Sequence, residues 1–156
     1  MILLAHMLFG AAVGSLTGNI YMGMASAILS HYFLDLFPHI EYLKSTEASV
    51  NKIKSGNKKE YIADGIKVLI DFLLAIAVIF SISSNQPALY LFAIIAIIPD
   101  GLTVTTHLFP NRILQKHHQI HGGPIHYLTK QKNFPLFWKV FSQALAAAFS
   151  IAVLAV

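Results

Sequence analysis

The stretch ILLAHMLFGAAVGSLTGNIYMGMASAILSHYFLDLFPH, Ile2 to His39, decides how the chain is to be read. It is apolar almost throughout and is broken once, at Thr17-Gly18-Asn19. Gly and Asn at such a break mark a tight turn. One helix from Ile2 to Phe37 would be longer than a bilayer core is thick, so a helical hairpin is expected, Ile2–Leu16 followed by Ile20–Phe37. Inside this apolar hairpin sit His6, His31, Asp35 and His39.

Three more apolar stretches follow, at about Ile66–Ser83, Ala88–Leu108 and Leu136–Val156. Each meets the roughly 20 residues a membrane helix needs. Across all 156 residues, 56% are hydrophobic and 12% charged. A soluble domain carries about 25% charged residues. A chain this short cannot hide that much apolar surface in its own core, and lipid is the natural place for the excess. The same composition excludes intrinsic disorder. The expectation is an all-α, polytopic membrane protein of about five helices, one domain over 1–156. The polar, basic segment 41–60 is expected to lie on the membrane surface, and 109–135 to form a His-rich loop. There is no cysteine, which removes disulfides, thiolate metal sites and cysteine nucleophiles.

The cations order the topology. Lys44, Lys52, Lys54, Lys58, Lys59 and Lys67 fall between the second and third stretches or just inside the third. Arg112, Lys116, Lys130, Lys132 and Lys139 fall between the fourth and fifth or just inside the fifth. The turns at Thr17–Asn19 and Ser84–Pro87 carry none. The positive-inside rule then places both long loops and the N-terminus in the cytoplasm, in the plasma (inner) membrane. The net charge of +4 is thereby read as a topology signal, with membrane lipid as neighbour and no nucleic acid partner. No basic region follows Met1, so a removed signal peptide is not expected. Gly10, Gly14 and Gly18, spaced by four, permit close helix packing within the chain or between copies, and Ala144, Ala147 and Ala148 could do the same.

Under this topology the ionisable groups sort to one membrane half. His6 opens the first helix; His31, Asp35 and His39 close the second; Asp64 and Asp71 open the third; Asp100 and His107 end the fourth. His117, His118, His121 and His126 lie in the loop. His31 and Asp35, four apart, share a helix face. Pro99 should kink the helix beside Asp100. Gly122, Gly123 and Pro124 allow a turn that aims His121 and His126 at one point. Charge in lipid is costly unless paired or coordinated, and a divalent cation held by imidazoles and carboxylates would answer that cost. Plainer readings stand beside this one. His117 and His118 could be solvated beside Lys116, His39 could sit at the interface, Asp71 could pair with Lys67, and Asp64 could be solvated.

His6, the run His31-Tyr-Phe-Leu-Asp35-Leu-Phe-Pro38-His39 and the step Pro99-Asp100 resemble the predicted membrane-bound metal-dependent hydrolases, the family typified by a LexA-regulated inner-membrane protein. His121-Gly-Gly-Pro-Ile-His126 keeps the two histidines of that family's His-Arg-Gly-x-Thr-His-Ser signature but lacks its Arg, Thr and Ser. Asp100-Gly-Leu stands where the family has Asp-x-Asp-His. The resemblance implies a metal-activated water attacking an ester, with His6, His31, Asp35, Asp100, His121 and His126 as metal ligands.

The expected function is hydrolysis of a phosphoester in a lipid or other amphiphile at the cytoplasmic interface, with one or two divalent ions, zinc or manganese. Asp35 or Asp100 would act as base. Arg112 and Lys116 would hold an anionic head group. His39, Asp71, His107, His117 and His118 are further candidates to bind or support the metal. The alternative is a divalent-cation or proton transporter with an intramembrane His/Asp relay, although such sites usually lie at the midplane between repeats and no repeat is visible. A haem carrier with His6, His31 or His107 as axial ligands fits poorly with so many carboxylates nearby.

Overall fold

A computed structural model describes residues 3–40, 58–83, 86–109, 111–127 and 134–156, with the backbone alone at 58–61 and 107. Every regular element among the described residues is helical. The helices are α1 (Leu3–Ser15), α2 (Ile20–Asp35), α3 (Lys58–Ile82), α4 (Pro87–Ala96), α5 (Ile98–Leu108), α6 (Arg112–Ile120) and α7 (Leu136–Leu154), with a π-helical turn at His121–Ile125 between α6 and α7. The surface segment expected at 41–60 lies outside the described residues over 41–57.

Local chemistry sets the element ends. Gly18 takes a positive φ of 63° with open space around it, the conformation that glycine adopts at no steric cost. Asn19 then caps α2, its side-chain oxygen accepting from the backbone N–H of Tyr21 at 2.9 Å and of Met22 at 3.2 Å. Asn111 caps α6 in the same way through Ile113 and Leu114, at 3.0 and 2.9 Å. The apolar stretch Ile2–Phe37 is thus a hairpin and not one long rod. The helix break expected at Pro99 occurs at Ile97, which separates α4 from α5. Proline has no N–H to give to the preceding turn, and its ring crowds the carbonyl four residues back.

Three segments are long and apolar enough to cross a membrane: Ile62–Ile82, Pro87–Thr106 (α4 and α5 together) and Leu136–Leu154. They wear their large side chains outward. Ile62, Ile66, Leu69, Ile70, Leu73, Leu74 and Phe80 of α3 are all exposed, a surface that water would penalise and lipid would not. α1, at 13 residues, and α2, at 16, are shorter than the three spanning segments.

The short α1 is the hub. It packs against α2, α3, α4 and α7, and a helix with neighbours on so many sides needs no polar face. Its buried Met7, Leu8, Ala11 and Ala12 meet Ala27, Ala75, Ile79, Phe92, Ala93, Ala96 and Leu154. Gly10 and Gly14 admit α4: a Cβ on Gly10 would overlap Ala96, and one on Gly14 would come within 2.6 Å of the Phe92 ring. Gly18 does not extend this seam, because the chain has already turned there. On α7 the expected alanine face is also displaced. Gln143, Ala146, Ser150 and Leu154 are the buried stripe, while Ala144 and Ala148 are exposed and Ala147 half-buried.

Four contacts tie the helices together around the buried polar groups. Asp71, midway along α3, accepts the Leu4 N–H at the start of α1, at 3.0 Å. His6 near the start of α1 meets Asp35 at the end of α2, at 3.2 Å. His31 of α2 approaches Asp100 at the start of α5 to 3.6 Å. Gln143, near the middle of α7, donates to the Ile40 carbonyl at 3.0 Å.

The glycine seam yields a direct test. Gly10→Val forces a side chain into Ala96 and should lower stability by about 1–3 kcal/mol. Gly65→Ala, in open space on α3, should raise it by about 0.5–1 kcal/mol. Thermal unfolding in detergent micelles measures both, and an undiminished midpoint for Gly10→Val would contradict the α1–α4 contact.

Candidate metal centre

Asp35 is the last residue of α2 and is completely buried. Its carboxylate faces five imidazoles through their Nε2 atoms. Oδ2 lies 2.9 Å from His121, 3.1 Å from His31 and 3.2 Å from His126. Oδ1 lies 3.2 Å from His6 and 3.7 Å from His39. Asp100 stands at the margin, its Oδ1 3.6 Å from His31 and 3.9 Å from His121, with its side chain 40% exposed.

Each donor arrives for a local reason. His31 and Asp35 are one helical turn apart on α2. His39 follows the helix end and Pro38, and the segment carrying it is tied to α7, where Ser142 donates to the Pro38 carbonyl and Gln143 to that of Ile40. His121 and His126 flank the π-helical turn, whose wider winding puts residues five apart on one face. Their Nε2 atoms are 3.4 Å apart. Asp100 sits in the first turn of α5, where the helix dipole favours a carboxylate.

Hydrogen bonds at the far sides of the rings decide what the near sides offer. His39 Nδ1 is 2.8 Å from the Phe37 carbonyl. A carbonyl can only accept, so Nδ1 carries the hydrogen and the neutral ring turns a bare Nε2 lone pair toward Asp35. The Thr103 hydroxyl donates to the Pro99 carbonyl at 3.2 Å and lies 3.0 Å from His121 Nδ1. With its hydrogen so directed, it would accept from His121 Nδ1–H, the tautomer that leaves Nε2 free to bind a cation. His121 Nε2 is 2.9 Å from Asp35 Oδ2 and 3.1 Å from His31 Nε2. His6 stacks on His31 with centroids 4.1 Å apart, and its Nε2 approaches Asp35 without hydrogen-bond alignment.

Nitrogen lone pairs and carboxylate oxygens pointed at one another repel unless a cation lies among them. Zinc bonds of about 2.0–2.2 Å place donors of one coordination shell roughly 2.9–3.5 Å apart; the contacts of Asp35 with His6, His31, His121 and His126 fall in that range, while His39 at 3.7 Å and Asp100 at 3.6 and 3.9 Å lie beyond it. The ligand atoms of His31, Asp35, Asp100 and His121 all lie within 4.8 Å of one another, as do those of Asp35, His39 and His126. These buried groups could hold a metal ion, and the donor set of imidazoles and carboxylates suits a divalent one.

The other sequence candidates lie elsewhere. Asp71 is engaged at the start of α1. Lys67 pairs with Asp64 at 3.2 Å rather than with Asp71. His117 meets the Tyr32 hydroxyl at 3.0 Å and stands behind His121, ring centroids 5.4 Å apart. Burial, with the neighbouring His121 next in weight, lowers its pKa. His118 is half-buried on α6, and Arg112 and Lys116 are exposed there. The His107 side chain lies outside the described residues. Tyr32, Thr103, Ser142 and Gln143 were not foreseen. Gln143, the one amide in the last apolar stretch, carried a readable signal; Thr103 did not.

Neither protein-family models, nor curated proteins, nor solved structures yield a match to this chain.

Thr103→Val keeps the side-chain shape and removes the hydroxyl behind His121. Loss of such a supporting hydrogen bond weakens metal binding about 10–100-fold. Competition titration of the purified protein against a chromophoric chelator should show that drop, and unaltered affinity would mean that Thr103 does not orient a ligand.

Proposed function

We propose that this chain is a membrane-embedded, metal-dependent hydrolase of phosphoesters carried by lipids or other amphiphiles. The observation behind the proposal is the convergence of five imidazoles on the buried Asp35, with a partly exposed second carboxylate, Asp100, at the edge of the cluster. The resemblance to the membrane-bound metal-dependent hydrolases, carried by His6, His31, Asp35, Asp100, His121 and His126, supports the same reading. In it, the hairpin α1–α2 is inserted beside the three longer spans, giving five crossings of the plasma membrane with the N-terminus and the site on the cytoplasmic side.

His31, Asp35 and His121 would hold the cation, zinc or manganese, beside Asp100. A divalent cation there would supply Lewis acidity and make water a nucleophile near neutral pH. The residues do the rest. Asp35, enclosed on all sides, has no room to exchange protons with solvent and serves as ligand. Asp100 has solvent access and acts as base, taking a proton from the attacking water. As the new P–O bond forms and the bond to the alcohol oxygen breaks, Asp100 returns that proton to the leaving oxygen. Arg112 and Lys116, exposed on α6, attract the anionic head group. An active centre at the interface lets acyl chains remain in lipid.

Phosphate release from lipid and soluble phosphoesters in mixed micelles tests the proposal. Asp100→Asn should retain metal and lose about 10²–10⁴-fold in kcat, the usual worth of a general base. Full hydrolysis by protein stripped of metal would refute the proposal.

A further inference from the structure

Resting on the reading of this cluster as a metal centre, we propose that it holds two divalent cations and that Asp35 bridges them. The donors outnumber what one ion can use. His6, His31, His39, His121 and His126 all direct Nε2 at one carboxylate, before Asp100 is counted. Zinc takes about four ligands. A single ion would leave several buried lone pairs facing a carboxylate with nothing between them, an arrangement low-dielectric surroundings make expensive.

The donors also divide. His31, Asp100 and His121 form one set with Asp35, and His39 and His126 form another with the same Asp35. Both oxygens of Asp35 are used. Oδ2 meets His31 and His121 of the first set, at 3.1 and 2.9 Å, and also His126 of the second, at 3.2 Å. Oδ1 meets His39 of the second set at 3.7 Å, and His6, outside both sets, at 3.2 Å without a hydrogen bond. A carboxylate whose two oxygens meet different imidazoles is the arrangement by which two ions about 3.5–4 Å apart share a ligand. With neutral imidazoles, two divalent cations outweigh Asp35 and Asp100 in charge. The surplus is positive and suits a phosphoryl group.

The test is manganese loading of the full chain in detergent micelles, with metal counted by mass spectrometry and the spin state read by electron paramagnetic resonance. Two ions per chain with an exchange-coupled spectrum are expected. His39→Ala and, separately, His6→Gln should reduce the count from two to one and convert the spectrum to that of an isolated ion. One ion per chain at saturation, or two without coupling, would overturn the bridging proposal while leaving the metal centre itself standing. No bound ion would remove both. The unmodified protein decides the matter even if a variant fails to fold.

Discussion

The constraint on which the rest depends is the negative charge of Asp35, buried at the open end of an apolar hairpin, opposite its turn. A carboxylate removed from water costs several kcal/mol or more unless its surroundings answer it. Among the described residues, imidazoles drawn from α1, α2, the segment after α2 and the π-helical turn surround it. Imidazole and carboxylate together make a donor set that could hold a divalent cation.

The frame is economical. The short α1 lies among four other helices, and small residues on it allow α4 to approach. That packing fixes His6 over His31. The break at Ile97 lets α5 present Asp100 and Thr103 to the same place, and Thr103 in turn orients His121. On the opposite side, Ser142 and Gln143 of α7 hold the strand of chain that bears His39. Supporting polar contacts of this kind set the direction of metal ligands as firmly as the ligands set the metal.

Much of this was legible in the sequence, and for identifiable reasons. The Thr17-Gly18-Asn19 turn, the helical spacing of His31 and Asp35 and the five-residue interval from His121 to His126 are local features, and the helical fold follows from them and from composition. Other features depended on partners far along the chain. Asp71 is occupied by the start of α1, a pairing across 67 residues that no local pattern could reveal. The buried face of α7 runs through Gln143, Ala146, Ser150 and Leu154 rather than through Ala144 and Ala148, because Gln143 turns inward to hold the Ile40 carbonyl, a partner far along the chain. Thr103 resembles any other threonine in an apolar helix until His121 is placed beside it.

The most direct measurement is an anomalous difference map at the metal edge from crystals of the protein grown with zinc. The account predicts density among His31, Asp35 and His121, within about 2.0–2.2 Å of their nearest nitrogen and oxygen atoms. Density confined to the protein surface, with the five imidazoles closed on Asp35 and no ion between them, would contradict it.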